Sequence, residues 1–209
     1  EILSDLIAGA DVKAAWSRKN GKFVKVNADG TISTLSFSDA SNSTYQSNFG
    51  TQQEWYQTLM ETINTVSNEI YKRNLRSGAN WIVTSPEVAS ILESMSQFAV
   101  EIVDDPMNQT YSIGIEKIGT LQSRYTVYKN PYFPPDQILI GFKGDSFLET
   151  GYVYAPYVPL LITPTIFEPN DFTPRKAVMT RYASQMVRPE YYGIVKVLDL
   201  DFIGGPASI

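Results

Sequence analysis

"TQQEWYQTLMETINTVSNEIYKRNLRSGANWIVTSPEVASILESM", residues 51–95, decides the fold class. Its first four residues form a capping box, with Thr51 as N-cap and Glu54 reaching back from the third helical position. Trp55, Leu59, Ile63 (or Thr62), Val66 and Ile70 follow at steps of four and three. That spacing predicts a long helix with one buried stripe. Lys72, Arg73 and Arg76 complement the dipole at its end, and Gly78 is expected to stop it. "NWIVTS" (80–85) then reads as a short buried strand. Ser85 caps a second helix with Pro86 at its first position, and Val88, Ile91, Leu92 and Met95 form its apolar face.

Outward from this segment, strands are predicted at 113–118, 125–129, 137–142 and 190–202, where apolar residues alternate with polar ones or run together. Residues 22–37 read as a hairpin turning at "NADG", with Gly30 supplying positive φ. The serine- and asparagine-rich 38–48 and the polar 103–112 read as loops. Residues 2–16 are expected to form an amphipathic helix, weakened by Gly9. That helix begins uncapped at the first residue, which predicts a start further upstream in a longer protein. The class is α+β.

"GYVYAPYVPLLITP" (151–164) is β-branched and aromatic, so it favours extended chain. Pro156, Pro159 and Pro164 cannot donate ladder hydrogen bonds, which excludes an ordinary central strand. Tyr152, Tyr154 and Tyr157 bring contact area with polar tips, a character common at protein interfaces.

The 209 residues contain no cysteine and no histidine. Disulfides, Cys/His zinc sites, Ser-His-Asp triads and Cys-His dyads are therefore excluded within the chain. The formal charge of −5 gives no general nucleic-acid footprint. No apolar run approaches the roughly 18 residues a membrane-spanning helix needs. Asp104 and Asp105, followed by Pro106, read better as a solvated loop than as a metal or acid–base pair, because adjacent residues rarely converge on one site. Asp199 and Asp201 share one face of the last strand without a motif. Arg175, Lys176, Arg181 and Arg188 form a loose basic cluster, read as pairing to acids within or between subunits. Lys19, Lys22 and Lys25 are too balanced by acids to indicate nucleic acid. Neither catalysis nor a cofactor is expected.

"RNLRSGANWIVTSPEVASILESM" (73–95) resembles the segment joining the spine helix to the axial domain in major capsid proteins of T-even-type tailed bacteriophages. Arg76, Gly78, Ala79 and Asn80 match that family's turn, with one glycine fewer between Ala79 and Asn80. "YTVYKNPYF" (125–133), "ILIGFKG" (138–144), "GYVYAPYVPL" (151–160), "TRYA" (180–183) and "YYGIVKV" (191–197) continue the likeness in the same order. The resemblance implies the C-terminal part of a Hong Kong 97-type capsid subunit. It implies a peripheral-domain part with hairpin, polar loop and spine helix at 1–78, an axial domain at 79–150, and return strands at 151–209. Trp55, Leu59, Ile63, Val66 and Ile70 would form the spine-helix core. The loop 103–112, with Asp104, Asp105, Pro106 and Asn108, would face the capsomer axis. Tyr152, Tyr154, Pro156 and Tyr157 would meet neighbouring subunits.

The implied function is a structural shell of hexamers and pentamers that encloses DNA without binding it specifically. Minor capsid, vertex or decoration proteins are the further partners expected. The location would be the virion, after assembly in the host cytoplasm. An encapsulin-like compartment or a vertex protein is the alternative within the fold. A secreted adhesin or carbohydrate-binding module would fit the tyrosine and strand content, but the long capped helix argues against it.

Overall fold

A computed structural model describes residues 2–18, 24–27, 29, 31–34, 52–100 and 115–200. Its elements in chain order are α1 (Ile2–Gly9), β1 (Val12–Ser17), β2 (Val24–Val26), β3 (Ile32–Thr34), α2 (Gln52–Asn74), β4 (Trp81–Thr84) and α3 (Pro86–Glu93). Then follow β5 (Phe98–Val100), β6 (Glu116–Leu121), β7 (Tyr125–Lys129), β8 (Gln137–Gly141), β9 (Tyr152–Ile162), β10 (Ile166–Phe167), β11 (Pro174–Arg175), β12 (Val178–Met186) and β13 (Tyr192–Leu198).

Seven strands form one mixed sheet in the order β1-β13-β8-β4-β7-β6-β5. β13 runs parallel to β1 and antiparallel to β8, and β4 runs parallel to β7. The middle strands are nearly continuous apolar runs, as a sheet covered on both faces requires. Ile82, Val127, Ile138, Leu139, Ile140 and Val195 are fully buried.

Helix α2 packs on β1, β13 and β8. Leu59, Ile63, Val66 and Ile70 lie in that seam, each at most 2% exposed. A buried side chain of this size contributes roughly 1.5–3 kcal/mol by leaving water. The helix comes close because β13 opposes it with Gly193, where a Cβ would stand 2.5 Å from Val66 Cγ1. One buried hydrogen bond fixes the seam further: Trp16 Nε1 donates to Thr58 Oγ1 at 2.8 Å. The side chain of Trp55, and all of Thr51, lie outside the described residues.

Four expectations need correction. The helix expected over 2–16 ends at Gly9, and Val12–Ser17 form a strand instead. Its alanines are helix formers, but pairing along β13 outweighs that weak preference. The stop of α2 falls at Leu75, not Gly78: Leu75 takes φ +56°, and Asn74 Oδ1 accepts from the backbone N–H of Arg76 (2.8 Å) and Ser77 (3.2 Å). Gly78 serves close approach, since a Cβ there would lie 2.7 Å from Ser67 Oγ. The strand expected at 113–118 runs over Glu116–Leu121, with 113 and 114 outside the described residues. The last strand, expected over 190–202, is Tyr192–Leu198, so Asp199, at φ +61°, lies past its end and not on one of its faces.

The capped second helix forms as the sequence predicts. Ser85 Oγ accepts from Val88 N at 3.4 Å, and Val88, Ile91, Leu92 and Met95 are buried. β2 and β3 form the expected hairpin, with Asn27 N donating to Thr31 O at 2.8 Å across the turn. Gly30 and residues 38–48 lie outside the described residues. No described helix is long and apolar enough to cross a membrane.

Candidate assembly surface

β9 and β12 pair antiparallel from Tyr152↔Met186 to Ile162↔Val178. Among the described residues the two strands join no other strand and form a two-stranded ribbon. At the base, Val187 N donates to Gly151 O at 2.9 Å. Alternation then makes Tyr152↔Met186, Tyr154↔Ser184 and Pro156↔Tyr182 the non-hydrogen-bonded pairs. The backbone of Pro156 therefore faces away from β12, where its missing N–H leaves no gap in the ladder. Pro159 has the opposite effect: the register shifts between Met179 and Tyr182, close to where it sits. There Thr180 Oγ1 donates to Val158 O at 3.0 Å, a side-chain bond inside the bulge.

Tyr152, Tyr154 and Pro156 share one face by strand alternation, and Tyr154 stacks diagonally on Tyr182 with ring centroids 5.1 Å apart. Helix α1 braces this face at its base. Tyr152 OH donates to Asp5 Oδ2 at 2.9 Å, and Ile2, Leu3, Tyr154, Tyr182 and Ser184 line a shallow groove. Further out the ribbon is bare: Tyr157 is 84% exposed, and Leu160, Ile162 and Val178 are exposed as well.

The ribbon ends in an ordered tip. β10 and β11 pair at Ile166↔Arg175 and Phe167↔Pro174. Glu168 bonds Arg175 at 2.9 Å, and Phe172 N donates to Glu168 O at 2.8 Å. Phe172 takes φ +53° and remains 77% exposed. A left-handed conformation costs a non-glycine residue about 1–2 kcal/mol, here spent on presenting an aromatic ring to solvent.

Of the residues singled out by sequence, the structure brings Tyr152, Tyr154 and Pro156 together on one ribbon face, with Tyr157 just beyond. Asp104, Asp105, Pro106 and Asn108 lie outside the described residues, as does Asp201. Asp199 accepts a hydrogen bond from Ser17 Oγ, locking the ends of β13 and β1 together. In the basic cluster Arg175 pairs with Glu168, and Arg188 donates to Tyr191 OH at 2.8 Å. Sequence reading overlooked β12 as the partner of β9, although "VMTRYASQM" contains no proline or glycine to interrupt a strand. It also overlooked Phe172, which carries no local signal of exposure.

The family model "Major capsid protein Gp23" matches residues 21–203. Relatives described as major capsid proteins include that of Vibrio phage KVP40, 31% identical over 137 residues covering 64% of this chain and 26% of the relative. That of Salmonella phage ViI is 32% identical over 137 residues, covering 62% of this chain and 30% of the relative. That of Enterobacteria phage T4 is 29% identical over 133 residues, covering 62% and 25%. The match thus spans between a quarter and about a third of the length of these relatives. Among solved structures, one from Mycobacterium phage Che8 aligns with a TM-score of 0.46 and 14% identity, covering 67% of this chain and 48% of that one. The family match covers most of the sequence, and this chain belongs to the Gp23 major capsid protein family.

Proposed function

We propose that the chain is part of a shell subunit of a tailed-phage head, built on the Hong Kong 97-type fold. Hexamers and pentamers of the subunit would close an icosahedral shell that encloses DNA without gripping it. The net charge of −5 suits a container rather than a DNA-binding protein. Minor capsid, vertex or decoration proteins would complete the head, in the virion, after assembly in the host cytoplasm. The chemistry is structural, with no catalytic centre.

In this reading α2 is the spine helix, residues 1–78 and 151–209 contribute to the peripheral domain, and 79–150 form the axial domain. Asp104, Asp105, Pro106 and Asn108 would lie near the capsomer axis. Tyr152, Tyr154, Pro156 and Tyr157 would contact a neighbouring subunit.

The observation that carries this reading is the ribbon. Beyond its base it contributes little to the chain's own core, yet it presents tyrosine, leucine, isoleucine and phenylalanine in ordered positions. An exposed apolar surface of this kind marks an interaction site. Family membership supports one kind of interaction, copies of one protein meeting in a shell.

Electron microscopy tests it on the protein produced with whatever its reading frame carries on either side of these residues. Rings of fivefold or sixfold symmetry, or closed shells, are the expected result. A protein that stays monomeric at high concentration overturns the reading.

A further inference from the structure

The two sides of the ribbon differ in edge chemistry and in charge. The outer edge of β9 is interrupted at Pro156, whereas β12 has no proline along Val178–Met186. From Phe172 to Pro189 the chain has four basic residues and no acidic one. Two of these are engaged, Arg175 with Glu168 and Arg188 with Tyr191. Lys176 and Arg181 are exposed and form no ion pair among the described residues.

The rest of the protein has the opposite sign. Outside residues 151–188 there are 13 basic and 20 acidic side chains. Helix α3 turns Glu87 and Glu93 to solvent, and neither forms an ion pair among the described residues. Beside its start stands Tyr132, 81% exposed. The loop that carries Tyr132 is tied to that start by Asn130 N donating to Thr84 O (2.9 Å) and Ser85 Oγ donating to Pro135 O (3.0 Å).

Resting on the shell-subunit reading, we propose that the β12 side of the ribbon in one copy docks on the α3 face of a second copy. Lys176 and Arg181 meet Glu87 and Glu93, while the Ile162–Val178 cross-strand pair and Tyr132 supply apolar area. Charge decides the partner. Pairing two β12 edges across a twofold axis would crowd cations together, and like charges across strands repel. A basic ribbon on an acidic helix face has no such cost and steers the encounter. The contact joins two different patches, so it is heterologous: copies add head to tail and close into a ring where the rotation permits.

Three charge variants, followed by sedimentation velocity, test the contact in the same full-length protein. One carries Lys176→Glu with Arg181→Glu, one Glu87→Lys with Glu93→Lys, and one all four changes. Thermal melting checks that these exposed positions leave the fold intact. Either pair alone is expected to weaken self-association about tenfold or more, because it sets like charges face to face. The fourfold variant should recover it, and raising salt from about 0.05 to about 0.5 M should weaken wild-type association. Association unchanged by either pair overturns the docking, as does a fourfold variant no better than the double variants. Capsomer rings that still form in those cases leave the shell reading standing. A wild-type protein that never associates overturns both.

Discussion

The sheet body and the ribbon are made from the same kinds of residue and treat them in opposite ways. Leu59, Ile82 and Leu139 in the body are fully buried, whereas Leu160 and Ile162 in the ribbon are more than 60% exposed. Apolar composition therefore does not decide burial in this protein; edge chemistry and cover do. β13 offers unbroken pairing groups to β1 and β8, and α2 covers it. β9 has proline on its outer edge and at its bulge, and among the described residues it keeps one partner strand, with α1 bracing the base of the ribbon. The body is held together within the chain. The outer part of the ribbon leaves its apolar side chains open to solvent.

The largest effect that would sharpen this contrast is a cavity in the body. Leu59→Ala should destabilise by about 2–5 kcal/mol in a urea titration, since the site is closed between α2 and the sheet. A loss below about 1 kcal/mol would show that the seam is loosely packed. Gly193→Ala should cost about 1–3 kcal/mol, because the new methyl would press on Val66 and force α2 off β13. Full stability in that variant would mean the helix can shift without penalty.

A third test is alkaline pH. Burial holds the Tyr192 hydroxyl protonated and pushes its pKa up to about 12 from 10.0. The unfolded chain loses this proton first, so between those values the folded state binds more protons and stability falls as pH rises. The contribution is fully present below pH 10 and should fade by about 2–3 kcal/mol by pH 12. Tyr192→Phe should flatten that part of the curve; an unchanged slope would place the alkaline loss elsewhere.

The smallest effect is expected in the ribbon. Leu160→Ala and Tyr157→Ala should change unfolding free energy by less than about 0.5 kcal/mol, as exposed substitutions do. Both should weaken self-association. A large stability loss from either would break the distinction between the two regions.

Sequence legibility follows the range of the forces involved. α2, β4, α3, β7 and β8 are written in local patterns: a stripe, a proline-led cap, short apolar runs. β1 is not, because "VKAAWS" becomes a strand only through a partner some 180 residues away. The tyrosines of 151–164 stand out from type alone as candidates for contact. Which edge of their strand is open, and that β12 lies beside it, depend on register, which no local pattern fixes. Phe172 gives no warning either, since its backbone conformation is set by hydrogen bonds from the surrounding tip.

The position of β13 has a consequence for the order of events during folding. It lies between β1 and β8, yet it is the last strand of the described chain to leave the ribosome. Until it arrives, β1 has no place in the large sheet and α2 has only part of its floor. Closing so long a loop costs entropy before the contact gives anything back, which makes the step slow. A nascent chain therefore cannot complete its body early, and its ribbon is already synthesised while the body is still open. Copies that meet at that stage would expose unfinished sheet edges to one another, a hazard known for long-range β pairing.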